Sequence, residues 1–160
     1  MSHGINVDYI NPFIEATVHT FQTMCQIVPT REKLFIKKRD SEEIYGISGI
    51  IGLKGEMYGT VILNFPEQIA IRMVSKIAGE EQKNITATVV DGVGEILNII
   101  AGDAKNRLVQ KGYKFDIGLP KIVTGRNYVN AQKKSDHCIV ITFISPFGKF
   151  SLEVSLKKAA

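Results

Sequence analysis

The sequence predicts an α+β fold, an antiparallel sheet made of two β-hairpin units with helices packed on one face, in the order α-βββ-αα-ββββ. Three observations carry this. Residues 44–53 and 57–65, and again 138–144 and 150–156, are paired runs of apolar and β-branched residues joined by short turns. Stretches with apolar residues every three or four positions precede the first unit and separate it from the second. No glycine-rich strand-turn-helix phosphate loop is present, which argues against a doubly wound parallel sheet. The 160 residues, 44% hydrophobic, suffice for one domain spanning 1–160 with its own core.

Each element has a local reason. Asn11-Pro12 opens the first helix, since Asn caps free amides and Pro at the first helical position forfeits no bond. Phe13, Ile14, Val18, Phe21 and Cys25 then recur at helical spacing, with Val7 and Ile10 as candidates for an upstream extension. Pro29 prevents continuation past Val28. Leu34 and Ile36 alternate with charge as a first strand. Lys54-Gly55 is a hairpin signal between the next two strands. Pro66-Glu67 starts a second helix, 66–78, which Gly79 stops. The longest helical pattern runs over 86–111 and ends at Gly112, with Val89, Val93, Ile96, Leu97, Ile100, Ala104 and Leu108 as its apolar stripe. Short strands around 115–118 and 121–126 follow, then a hairpin turning at Ser145-Pro146-Phe147-Gly148. No clear sequence repeat is visible.

Several function classes are disfavoured. The net charge of +4 is a mild excess, and the basic groups Lys37-Lys38-Arg39, Lys133-Lys134 and Lys157-Lys158 are scattered and not interleaved with aromatics. No nucleic-acid partner is therefore expected. No run reaches the ~20 apolar residues of a membrane span, and the N-terminus lacks a secretory pattern, so a cytoplasmic protein is expected. Cys25 and Cys138 stand far apart and read as buried thiols, not a disulfide framework. His3, His19 and His137 make no metal-ligand spacing, and no metal site is expected. There is no G-x-S-x-G elbow, and Cys25 has no persuasive His and acid partner. A self-contained nucleophilic or metal mechanism has little to stand on.

The outer face of the long helix gathers polar residues, which by themselves read first as a solvated face. With the apolar stripe centred on Val93, Asn98 falls at about 140°, Asp91 at about 160°, Gly102 at about 180° and Glu95 at about 200°. Glu95 and Asn98, at i and i+3, are side-chain neighbours. Gly92, Gly94 and Gly102 interrupt this helix, each at a cost of about 1 kcal/mol relative to Ala. Two readings account for such glycines: close packing against another element, or a surface cleared for another backbone to approach Asn98. The outward angle of Gly102 favours the second for that residue. The bare E-x-x-N spacing is weak evidence, and it recurs at Glu81-Asn84 in a polar linker.

The longer string is specific. Asp91-Gly-Val-Gly-Glu95-Ile-Leu-Asn98-Ile-Ile-Ala-Gly102 resembles the signature helix of the CheC/CheX/FliY family of chemotaxis phosphatases. Tyr9-Ile-Asn-Pro-Phe-Ile-Glu-Ala16, running on to Phe21-Gln-Thr-Met24, is similar to the opening helix of the CheX branch, and Asn64-Phe-Pro-Glu67 also fits. The order of elements matches from end to end. One E-x-x-N helix in the right context fits the single-site CheX type.

The resemblance implies a substrate that is itself a protein, the phosphorylated response regulator CheY. The reactive phosphorus, the Mg²⁺ and most phosphate ligands then belong to the partner, and the chain needs no cofactor of its own. Asn98 would hold the attacking water in line with phosphorus, and its neutral amide enters a phosphate site without repulsion. Glu95 would pair with the regulator's active-site lysine. Asp91, Gly94 and Gly102 are expected to contribute to the partner-facing surface. The resemblance also implies a homodimer formed through the sheets. The runner-up is a non-catalytic module of the same fold that docks a receiver domain or a flagellar-switch component.

Overall fold

A computed structural model describes residues 7–37, 45–125 and 138–158. Helix α1 spans Val7–Cys25, β1 Thr30–Ile36, β2 Ile47–Gly55, β3 Met57–Phe65, α2 Glu67–Ala78 and α3 Ala87–Val109. Strands β4 Phe115–Ile117, β5 Lys121–Thr124, β6 Ile139–Ser145 and β7 Gly148–Lys158 complete the order α-βββ-αα-ββββ. Ile44 and Arg126, expected at strand ends, lie outside the described residues, as do His3, His137, Lys38, Arg39, Lys133 and Lys134.

The helix starts and stops are local chemistry. Helix α1 begins a turn before Asn11-Pro12, because Tyr9 and Ile10 are buried and carry it upstream. Pro12 therefore sits inside the helix and cannot donate to the carbonyl of Asp8. Lys111 Nζ donates to that carbonyl at 3.5 Å. The stop comes at Gln26, whose φ of 53° is left-handed, with the Ile27 amide returning to the Phe21 carbonyl at 3.4 Å. Gly79, at φ 67°, ends α2 as its position predicts. Thr86 caps α3, its hydroxyl accepting from the Val89 amide at 3.2 Å.

All strand pairs are antiparallel, in the order β1-β6-β7-β3-β2, with β4 and β5 both lying along the outer edge of β2. One sheet face carries the core: Ile47, Ile51, Val61, Leu63, Ile141, Phe143, Leu152 and Val154 pack with the buried sides of the helices. Phe150 sits amid Phe21, Phe65 and Phe143 at ring separations of 4.7 to 5.4 Å. The opposite face holds a buried polar network. Ser48 donates to Asn64 at 2.7 Å, and the Asn64 amide donates to Ser151 at 3.1 Å and to the Glu153 carboxylate. Lys37 pairs with Glu153 at 2.9 Å.

The sequence showed no repeat, yet the topology has one. The hairpins β2–β3 and β6–β7 meet at the central β3·β7 pair, and each has its outer strand lined by a strand from the other half. Helices α1 and α3 both pack into the core, and their burial patterns match at an offset of 80 positions. Tyr9, Phe13, Ala16, Thr17, Thr20 and Phe21 are buried, as are Val89, Val93, Ile96, Leu97, Ile100 and Ala101. The burial pattern is shared while most side chains differ, so composition hides it.

Candidate functional site

Helix α3 presents the site because its stripe is anchored from end to end. Val93, Ile96, Leu97, Ile100, Ala104 and Leu108 are fully buried, which turns Asp91, Glu95 and Asn98 outward into exposure. None of these three side chains bonds to another described residue, so their polar groups are available to a partner. Glu81 and Asn84, the second E-x-x-N match, fall outside any helix and do not form such a face.

The three glycines of α3 divide between the two readings. A Cβ on Gly92 would lie 2.7 Å from both methyl carbons of Val74, so this glycine lets α2 approach closely. A Cβ on Gly102 would meet nothing within 4 Å, leaving open space one turn beyond Asn98. Gly94, expected on the partner-facing surface, is instead buried. Pro120 and Ile122 lie 3.7 and 3.6 Å from where its Cβ would be, so it faces this chain's own β5 segment. Its angle of about 100° from the stripe centre places it at the flank of the helix and not on its back.

A clamp fixes α3 against α1. Arg107 donates to Asp103 at 3.1 Å and to Glu15 at 2.8 Å, and His19 lies 3.3 Å from Asp103. Burial alone would lower the pKa of Arg107, but the hydrogen bonds and charge of Asp103 and Glu15 outweigh it and raise the value. At the same offset of the burial pattern, Glu15 and Val18 of α1 correspond to Glu95 and Asn98 of α3. Val18 has no amide, and the Glu15 carboxylate is engaged by Arg107, so only α3 carries a free Glu/Asn pair. The sequence hid this equivalence because Glu15-Ala-Thr-Val18 shares only its first residue with Glu95-Ile-Leu-Asn98.

The remaining candidates recede. Burial pushes the Cys25 thiol up to about 11, the reverse of an activated nucleophile. No group of three or more His, Cys, Asp or Glu among the described residues could hold a metal ion. No described helix is long and apolar enough to cross a membrane. Two clefts, of about 730 and 590 Å³, are lined by residues such as Tyr9, Lys111 and Lys158, or Tyr45, Glu67 and Thr124. Neither includes Glu95 or Asn98. An exposed helix face suits a macromolecular partner better than a small molecule, which needs enclosure.

Comparison with known proteins agrees with this geometry. The profile of a family described as chemotaxis phosphatase CheX matches residues 47–144. The CheY-P phosphatase CheX of Thermotoga maritima is 31% identical over 111 residues, covering 68% of this chain and 70% of that protein. A CheC-like superfamily protein from Shewanella sp. PV-4 superposes with a TM-score of 0.85 at 32% identity, covering 96% of this chain and 99% of the other. The CheX of Borrelia burgdorferi, solved in a complex with CheY, BeF₃ and Mg²⁺, gives 0.81 at 28% identity, covering 96% and 100%. The profile match spans more than half of the residues, and it includes the Glu95–Asn98 helix and the central hairpin: this chain belongs to the CheX family of chemotaxis phosphatases.

Proposed function

We propose that this protein dephosphorylates the aspartyl phosphate of a CheY response regulator, using Glu95 and Asn98 of α3. The carrying observation is the exposed Glu95–Asn98 pair, free of bonds within its own described chain and followed one turn on by the open position at Gly102. The Borrelia relative, solved with CheY, BeF₃ and Mg²⁺, supports CheY as the partner and Mg²⁺ as a metal that the partner brings. The Asn98 amide both donates and accepts, so it can hold a water in line with phosphorus. The water oxygen bonds to phosphorus as the bond to the aspartyl oxygen breaks, giving inorganic phosphate and the free carboxylate. Glu95 pairs with a lysine at the rim of the regulator's site and orients the two proteins. Asp91 shares that face and adds a second negative charge to it.

The test is phosphate release from acyl-phosphate-charged CheY with Mg²⁺, comparing wild type with Asn98→Ala. Wild type should accelerate decay and Asn98→Ala should bind the regulator yet lose most of the acceleration. Equal rates for the two would remove Asn98 from the chemistry. Binding without any acceleration by wild type would leave the docking-module reading.

The same reading includes a homodimer joined through the sheets. Strand β1 is the outermost strand of the described sheet opposite to β2, and its Phe35 and Ile36 are exposed. An edge with unpaired backbone groups and apolar side chains is a template for a second copy. Light scattering at micromolar concentration should give twice the mass of one chain, and Phe35→Lys/Ile36→Lys should give the mass of one.

A further inference from the structure

We propose that Leu119, forced out of the sheet edge by a β-bulge, is an apolar docking residue for the receiver domain that the Glu95–Asn98 face engages. The inference rests on the reading of that face given above.

Strands β4 and β5 run along the same edge of β2 as one interrupted strand. Leu53 pairs with Ile117 and Ile50 with Lys121. Between these anchors β2 has two residues, Ile51 and Gly52, whereas the edge segment has three, Gly118, Leu119 and Pro120. Gly118 keeps its place, its amide donating to the Gly52 carbonyl at 2.8 Å. Pro120 lies over Gly94. Leu119 is the surplus residue, and it is 91% exposed.

This exposure differs from that of a stray surface leucine in two ways. Bulges at sheet edges re-aim a side chain, and they concentrate next to functional sites. The segment is also held against the site: Pro120 and Ile122 flank Gly94, the residue before Glu95. Adding the bonds and contacts from Glu95 through Gly94 and Pro120 puts the Cα of Leu119 within about 15 Å of that of Glu95. Even a weak specific complex covers about 500 Å² on each partner, a patch roughly 25 Å across. A patch of that width holds both positions when it extends over the flank of α3 on which Pro120 and Ile122 lie, and a receiver domain seated on Glu95 and Asn98 in that way covers Leu119 as well. The polar face supplies orientation and chemistry, and Leu119 supplies area that loses water on docking.

The experiment measures KM and kcat for CheY-phosphate decay with Leu119→Ala, Leu119→Asp and, in parallel, Asn98→Ala. A leucine so exposed contributes nothing to the core, so melting temperatures should match wild type. Leu119→Ala should raise KM by about tenfold, the burial worth of most of a leucine side chain, and Leu119→Asp by more. In both, kcat should stay within twofold. Wild-type KM in both variants overturns the proposal. So does an unchanged KM with new self-association, which would make the bulge a guard on the sheet edge. If Asn98→Ala loses turnover while the Leu119 variants behave as wild type, only the Leu119 assignment falls. A wild-type protein without activity overturns both.

Discussion

At the scale of residues, the proposed active face is marked by what its side chains leave undone. Asp103, Glu15 and Arg107 consume one another's charges in the clamp between α1 and α3, whereas Glu95 and Asn98 spend none within the described chain. Their roles should separate in kinetics. On the proposed reading Asn98→Ala removes the group that holds the water in the transition state, so kcat should fall about 100-fold with KM nearly constant, on the scale of losing one positioned polar group. On the same reading Glu95→Ala removes a docking contact as well as orientation, so both KM and kcat should suffer. Asn98→Asp tests charge directly: a carboxylate beside the phosphoryl oxygens should be at least as damaging as alanine despite its similar shape. Steady-state rates of phosphate release check all three.

At the scale of elements, α3 trades helix stability for access. Gly92 and Gly102 look alike in the sequence and differ in their surroundings. Gly92→Ala drives a methyl against the buried Val74 and should destabilise the fold by about 1–3 kcal/mol. Gly102→Ala meets open space and should stabilise it by about 1 kcal/mol through helix propensity. On the proposed reading, the same methyl stands where the regulator's backbone approaches, so KM should rise as the melting temperature rises. Thermal melts paired with kinetics separate the two glycines. Most elements are readable from local sequence: the Gly79 stop, the Thr86 start and both hairpins follow from residue chemistry within a few positions. The start of α1 was readable in part: Asn11-Pro12 is a strong local signal for a first turn, while Val7 and Ile10 marked the upstream extension that the structure takes. Burial of Tyr9 and Ile10 overrides the first-turn signal and leaves Pro12 inside.

At the scale of the whole molecule, one sheet has to satisfy two faces. The helix side is apolar. The other side is organised around Asn64, fully buried and bridging Ser48, Ser151 and Glu153 across three strands. Asn64→Ala leaves the buried Glu153 carboxylate short of a donor and should cost about 2–4 kcal/mol, seen as a lower midpoint in urea. Asn64 lies within the Asn64-Phe-Pro-Glu67 string that resembles the CheX branch, and the sheet gives that asparagine a structural reason to be there.

The sequence alone determined the fold class, the order of elements and the Glu95–Asn98 pair, because helical and strand periodicities are local and the pair lies within one turn of one helix. Tertiary packing decided what periodicity does not encode: that Gly94 lies under Pro120 while Gly102 stays open, that Arg107 engages Glu15 on α1 while Glu95 on α3 stays free within the described chain, and that a surplus residue between paired strands pushes Leu119 into solvent. Each of these depends on which segments, distant along the chain, come to lie against one another.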